Sequence, residues 1–313
     1  MDNQELKDAV ALVNEARAGR MTRRNALLRA VGGGAMIAAG AVLPSFAIPK
    51  RAGAQTVTDA DIFNFALNFE YLEAEYYTLG AFGRTVEDSG VVTGRTGAAG
   101  LTFRANPQVS FNNTNLQRFM QELALDEQAH IAFVRSALGG AAVDRPDINY
   151  TAAFNAAAQA AGLGDSFDPF ANETNFVLGA LLFSDVTVTA LTGASSSITD
   201  KNNLSNAAGL LGTEGYHTGG LRLRVYQAGD AARASFQKVS DARDLLDGTA
   251  ADKDQPVVLN NQANLVPTDA NSIVFARSTS EVLRIAYLTS TVGATSGGFF
   301  PAGVNGTIRT VTT

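Results

Sequence analysis

Each of the two histidines in this 313-residue chain is the last residue of a Glu-x-x-His quartet. The quartets extend from Glu127 to His130 and from Glu214 to His217. A spacing of three residues places the carboxylate and the imidazole on one face of a helix, about 60° apart around its axis. Surface pairs of this kind stabilise a helix by only about 0.2–0.5 kcal/mol. Because both quartets lie in apolar segments, we interpret them as metal ligands.

A third apolar segment carries one acid near its middle. Asp185 is surrounded by Leu181, Leu182 and Val186, where a lone carboxylate is costly unless it binds a metal or is hydrogen-bonded. We interpret Asp185 as a ligand, and a buried acid that is hydrogen-bonded to the backbone is the alternative.

The segment that begins at Thr58 carries three glutamates. Glu70 and Glu73 share one face of the expected helix, whereas Glu75 points away and is expected to be exposed to solvent. This helix can therefore supply its carboxylate from either Glu70 or Glu73.

The composition restricts the chemistry of the site. The chain has no cysteine, which excludes disulfides, thiolate nucleophiles, zinc–thiolate sites and iron–sulfur clusters. Carboxylate and imidazole ligands suit iron or manganese. With 30 acidic and 24 basic residues, the chain lacks the basic surface that nucleic acid requires, so we expect no nucleic-acid partner.

Helix-start signals precede each segment that carries a candidate ligand. The first helix is expected to start at Thr58, the second at Asn113, the third at Asp168 and the fourth near Thr199. The connection between the second and third helices is roughly thirty residues long, as parallel neighbours in a four-helix bundle require. We therefore predict an all-α fold built on a four-helix bundle.

We divide the chain into three regions. Residues 1–54 contain an arginine pair followed by an uncharged apolar run, which resembles a twin-arginine export signal and implies a periplasmic or extracellular protein. A membrane anchor at residues 30–48 is the alternative. Residues 55–230 are predicted to form the bundle, without a transmembrane segment, and residues 231–313 a helical and loop extension packed on it.

The fourth helix contains several glycines, each of which costs about 0.5–1 kcal/mol inside a helix. They lie on one flank, broadly opposite Glu214 and His217: Gly209, Gly212, Gly215 and Gly219. We interpret this glycine flank as a close-packing surface, against either the C-terminal extension or a partner subunit in a homo-oligomer.

Glu70 is followed seven residues later by Tyr77, and this spacing together with the two quartets resembles the bacterioferritin and rubrerythrin pattern. The stretch from about residue 55 to the closing Gly-Gly-Phe-Phe-Pro-x-Gly-x-Asn-Gly is similar to exported ferritin-like proteins grouped with desiccation-related proteins. The resemblance implies a ferritin-like bundle that holds two iron ions, with manganese as the alternative.

The resemblance also implies roles for individual residues. The expected metal ligands are Glu70, with Glu73 as its alternative, and Glu127, His130, Asp185, Glu214 and His217. Tyr77 would donate a hydrogen bond to the ligands, and Asp126 would orient the imidazole of the opposite quartet. The chain departs from the family pattern at Thr213, where a second such aspartate is expected, and at Asp185, which replaces a longer glutamate.

The function implied by this resemblance is that of a di-iron oxidoreductase of ferroxidase or peroxidase type. It would oxidise Fe(II) with dioxygen, consume hydrogen peroxide, or do both, in oxidative or desiccation stress outside the cytoplasm. Disproportionation of peroxide by a manganese centre would use the same ligands. A non-enzymatic stress-protection protein, in which the metal stabilises the bundle, is a further alternative.

Overall fold

The computed structural model describes residues 57–247 and 253–313. Internal contacts divide the chain into Met1–Gln55 and Thr56–Thr313, and all the described residues belong to the second unit. The predicted export signal or anchor at residues 1–54 therefore lies outside the described residues.

Helices dominate the described part of the chain. They are α1 (Asp59–Phe82), α2 (Thr114–Leu138), α3 (Tyr150–Ala160), α4 (Glu173–Ser195), α5 (Lys201–Gln227), α6 (Asp230–Asp247) and α7 (Thr279–Ala286). Two short strand pairs accompany them: β1 (Leu101–Thr102) is parallel to β2 (Ile148–Asn149), and β3 (Val258–Leu259) is antiparallel to β4 (Gln262–Ala263). The fold is all-α, as predicted.

The bundle consists of α1, α2, α4 and α5. α1 packs along α2, α4 packs along α5, and α1 also packs against α4. Within the described residues, α4 is the one helix that is long and apolar enough in composition to cross a membrane. However, 83% of its most apolar 18-residue stretch is buried inside the protein. This degree of burial is typical of the core helix of a globular fold.

Local capping signals explain most helix starts. The capping box at Thr58 and the N-cap at Asn113 are present as predicted. The predicted start of α4 is wrong, because this helix begins at Glu173. Asp168 instead accepts a hydrogen bond from the backbone N–H of Phe170 and forms a turn ahead of the helix.

The loop after α1 folds back over that helix and buries Glu75. One carboxylate oxygen accepts a hydrogen bond from Arg145 at 2.7 Å, and the other accepts one from the backbone N–H of Val86 at 3.0 Å. Burial outweighs the effect of Arg145 and raises the pKa of Glu75 to about 7. The expectation that Glu75 is exposed to solvent is therefore wrong.

The C-terminal extension packs on the bundle at several places. α6 contacts α3, α4 and α5, and α7 contacts α4 and α6. At Gly193 the extension approaches so closely that a Cβ atom would lie 2.0 Å from the carbonyl oxygen of Arg277. Farther along, Asn305 exchanges two backbone hydrogen bonds, of 2.8 and 2.9 Å, with the side chain of Asn68 on α1.

The glycine flank of α5 faces open space. A Cβ atom added at any of its four glycines would meet no described atom within 4 Å apart from those of its chain neighbours and the adjacent turns of its own helix backbone. Packing of this flank against the C-terminal extension is therefore not found in the described residues, and packing against a partner subunit stays a prediction.

Candidate metal centre

α2 and α5 bring the two quartets face to face inside the bundle. The rings of His130 and His217 are stacked, with their centroids 6.2 Å apart and an angle of 26° between their planes. One ligand atom each from Glu70, Glu127, His130 and Glu214 lies within 4.8 Å of the others. We call this group, together with Glu73 and His217, the carboxylate cluster.

Two glutamates lie between the imidazoles. The Nδ1 atom of His130 lies 3.4 Å from Oε2 of Glu127 and 3.3 Å from Oε1 of Glu214. The Nδ1 atom of His217 lies 3.1 Å from Oε1 of Glu127 and 3.7 Å from Oε2 of Glu214. Each glutamate thus directs one oxygen toward each histidine.

α1 contributes both of its candidate glutamates. Oε2 of Glu70 lies 3.2 Å from Nδ1 of His130, and Oε1 of Glu73 accepts a hydrogen bond from the hydroxyl of Thr187 on α4. Both carboxylates are buried. The sequence treats Glu70 and Glu73 as alternatives. In the structure Glu70 contacts His130. Burial raises the pKa of Glu73, which lies close enough to Glu214 and Glu127 for their charges to raise it further.

Asp185 is not part of the cluster, and its prediction as a ligand is corrected. Its Oδ2 atom accepts hydrogen bonds from Arg222 at 2.8 Å and from Arg243 at 3.0 Å. These buried arginines neutralise the carboxylate in place of a metal. α4 therefore reaches the site through Thr187, which holds Glu73.

Asp126 lies beside the imidazole of the opposite quartet. Its Oδ2 atom is 3.0 Å from Nε2 of His217, so it can accept the proton of that nitrogen while Nδ1 faces the glutamates. The matching position, Thr213, donates a hydrogen bond to the carbonyl of Gly209 within its own helix. Asp126 thus faces the imidazole of the opposite quartet, whereas the hydroxyl of Thr213 is bonded within its own helix.

Tyr77 lies close enough to the carboxylate cluster to interact electrostatically with Glu73 and Glu127. Burial raises the pKa of its hydroxyl well above the ordinary value, and the charges of Glu73 and Glu127 raise it further. The hydroxyl is buried, and among the described residues it forms no hydrogen bond to a ligand. The predicted hydrogen bond from Tyr77 to the ligands is therefore absent from this structure.

Burial and proximity shift the proton affinities of the cluster in opposite directions. Burial raises the pKa of Glu70 to about 8 and raises that of Glu73 well above its ordinary value. At Glu127, hydrogen bonds from both imidazoles outweigh burial and lower the pKa to about 2. At His217, the contacts with Glu127 and Glu214 outweigh burial and raise the pKa of the imidazole to about 11. Contacts with nearby glutamates raise the pKa of His130 as well.

The carboxylate cluster has the donor set that two divalent cations require. Several of its oxygens are buried without a hydrogen-bond partner: Glu70 Oε1, Glu73 Oε2, Glu127 Oε2 and both oxygens of Glu214. In the part of the chain that the structure describes, no lysine or arginine is ion-paired with these four acids. Two divalent cations would balance four carboxylates and give the free oxygens partners, because buried charges need such compensation. The residues fit a dinuclear centre.

Two parts of this site were missed by sequence reasoning. The simultaneous use of Glu70 and Glu73 could have been expected, since residues three apart share a helix face. The role of Thr187 has a weaker signal, because a threonine within a buried helix commonly bonds to its own backbone.

The family comparison agrees with this geometry. The model of the family described as Ferritin-like domain matches residues 58–227, which cover α1, α2, α4 and α5. The chain belongs to the ferritin-like family. No solved structure gives a significant match to this ferritin-like protein.

Two curated relatives extend the similarity beyond the bundle. A ferritin-like catalase, Nec2, from Nesocodon mauritianus is 25% identical, and the alignment covers 85% of this chain and 91% of the relative. The desiccation-related protein PCC13-62 from Craterostigma plantagineum is 24% identical, with 72% of this chain and 76% of the relative covered. The ferritin-like protein described here is therefore similar to desiccation-related members of the family.

Proposed function

We propose that this ferritin-like protein is a dinuclear metal enzyme that consumes hydrogen peroxide. The observation that carries the proposal is the carboxylate cluster. Glu70, Glu127 and Glu214 surround His130, His217 contacts Glu127 and Glu214, and Glu73 interacts electrostatically with the same acids, while no arginine or lysine of the described residues is ion-paired with the four glutamates. The relative named as a ferritin-like catalase supports peroxide as the substrate. Oxidation of Fe(II) by dioxygen at the same site is the second candidate, supported by the resemblance to bacterioferritins.

The residues divide the work of holding the ions. Glu127 and Glu214 face both histidines and would help to hold both ions. Glu70 lies beside His130, and Glu73 is fixed by its hydrogen bond from Thr187. We propose iron as the bound metal and manganese as the alternative, since both accept oxygen and imidazole ligands. Two such ions, when bound, supply the pair of electrons that peroxide reduction needs.

The surrounding protein shields the ligands of α1 from bulk water. The ligands from α1 are embedded among buried aromatic and aliphatic side chains of the bundle, and Asp126 keeps the imidazole of His217 in one orientation. We further propose an oxidative or desiccation stress role outside the cytoplasm, on the basis of the arginine pair and apolar run in residues 1–54.

The test combines metal analysis with peroxide consumption. Protein purified from its native source should contain about two iron or manganese ions per chain, as two Glu-x-x-His quartets and two further acids predict. The loaded protein should decompose hydrogen peroxide over many turnovers, with one dioxygen released for every two peroxides, measured with an oxygen electrode. A single Fe(III) absorbance burst without sustained oxygen release would favour Fe(II) oxidation instead.

Two variants on α2 provide the matched comparison. Glu127→Gln removes a bridging charge and should abolish peroxide consumption, whereas Glu122→Gln changes an exposed acid of the same helix and should leave it unchanged. Full metal loading of the wild type without any peroxide loss would contradict the enzymatic proposal and favour a structural role for the metal.

A further inference from the structure

A cavity between α1, α4 and α5 ends at the carboxylate cluster. Its walls are apolar except at two residues, Glu70 and Thr187. These two residues connect the cavity to the ligands, because Glu70 lies beside His130 and Thr187 donates a hydrogen bond to Glu73. The Oε1 atom of Glu70 is buried and has no hydrogen-bond partner in the described residues. The inner end of the cavity is therefore polar and belongs to the site.

The outer end of the cavity is lined by alanines. Ala66 on α1 and Ala190 and Ala194 on α4 are the partly exposed members of the lining, while the others, including Phe69 and Ile198, are buried. The small methyl side chains at these three partly exposed positions do not fill the outer end of the cavity. A larger side chain at any of them would project into the opening.

The size of the cavity suits a very small molecule. The volume open to water-sized molecules is about 30 Å³, and one water requires about 10–15 Å³ on this measure. A molecule with two non-hydrogen atoms fits this space. An ion would have to leave water among apolar walls, which is costly, so the cavity favours an uncharged molecule.

We propose that this cavity is the path by which hydrogen peroxide reaches the metal ligands, and that Ala66, Ala190 and Ala194 set the size limit for entry. This inference rests on the proposed function, since it assigns the route to the same site. The competing route passes beside His130, whose side chain is 11% exposed.

The first measurement uses crystals of the metal-free protein and needs no activity. Apolar cavities bind xenon, so crystals under xenon pressure should show a xenon atom between Ala190 and Phe69. Ala190→Leu should remove it. Ala208→Leu adds the same side chain at an exposed position of α5 and should leave the xenon in place. Wild-type crystals without xenon in this cavity would overturn the proposal.

The second measurement follows peroxide consumption by the metal-loaded variants. Ala190→Leu should lower kcat/KM for hydrogen peroxide at least tenfold with unchanged metal content, and Ala194→Leu provides an independent test if the first variant folds poorly. Peroxide consumption that is unchanged although xenon is lost would refute the route alone. Wild-type protein that binds xenon but consumes no peroxide would refute the proposed function, and with it the assignment of the cavity.

Discussion

Two groups of buried acids in this protein are compensated in opposite ways. The carboxylate cluster has four glutamates and two histidines. The second group, which we call the arginine cluster, joins α4 and α5 of the bundle to the C-terminal extension, which includes α6. Its members are Asp185, Arg222, Arg243, Asp247, Asp254 and Arg277.

In the arginine cluster, positive side chains match the acids one to one. Arg243 contacts both Asp185, at 3.0 Å, and Asp254, at 2.8 Å. Arg277 lies 2.8 Å from Asp247 and also contacts Asp254. Asp247 and Asp254 lie close enough to Asp244 for the three to hold a cation, but Asp247 and Asp254 are already ion-paired with arginines. Charge balance, rather than burial, therefore distinguishes a structural acid from a ligand.

The largest expected effect comes from removing both imidazoles. The double variant His130→Ala, His217→Ala should bind neither metal ion, because the four glutamates lose their nitrogen partners. An ion present at about 1,000 times its Kd stabilises the folded state by about 4 kcal/mol, which raises the melting temperature by about 10 °C for a domain of this size. Calorimetry with and without metal should show this increase in the wild type alone. Retention of two ions by the double variant would end the dinuclear interpretation.

Removing the shared acid of the arginine cluster should lower stability without affecting metal binding at the carboxylate cluster. Asp185→Ala leaves Arg222 and Arg243 without their shared carboxylate, and the loss of one partner of a buried ion pair typically costs 3–5 kcal/mol. The free energy of unfolding of the metal-free protein should fall by about this amount in urea titrations. The folded variant should still bind two ions. If the variant instead lost metal binding while its stability stayed unchanged, Asp185 would have to be counted as a metal ligand.

A smaller effect is expected when one glutamate of α1 loses its charge. Glu73→Gln keeps an oxygen that can accept the hydrogen bond from Thr187 but removes the negative charge. Metal affinity should fall at least about tenfold, since changes behind the ligands alone cost about 10–100-fold. Stability without metal should change little, because burial already makes the carboxyl of Glu73 favour its protonated, uncharged form. Equilibrium dialysis checks this, with Glu122→Gln as the control. Unchanged affinity would leave Glu70 as the sole ligand of α1.

The smallest effect is the pH dependence of metal binding. In the metal-free protein, the pKa of Glu70 is about 8 and that of His217 about 11, so both groups hold protons at pH 7. Metal ligands must lose these protons, and binding should therefore strengthen as the pH rises from 6 to 8. Calorimetric titrations in buffers of different ionisation enthalpy should detect the released protons. An affinity that does not change over this range would contradict the proton assignments.

Local sequence signals predicted the parts of the fold and site that depend on local structure. The quartets, the capping box at Thr58 and the cap at Asn113 need only residues within one helical turn. The start of α4 is a local error, since Asp168 instead accepts a hydrogen bond from Phe170 two residues later. The errors at Asp185 and Glu75 concern distant partners. Asp185 is paired with Arg222 and Arg243, which are 37 and 58 residues away in the chain. No local sequence pattern predicts such pairs.

The hydrogen bonds between Asn68 and Asn305 have a consequence for the order of folding. These residues are 237 positions apart in the chain, and contacts of such long sequence separation form slowly because a large loop must close first. α1 and α2 are close in sequence and can pair early. The side chain of Asn68 obtains its hydrogen bonds with Asn305 only after the C-terminal extension has docked. We therefore expect refolding to pass through an intermediate with a formed bundle and an undocked extension, and to end in a slower docking phase.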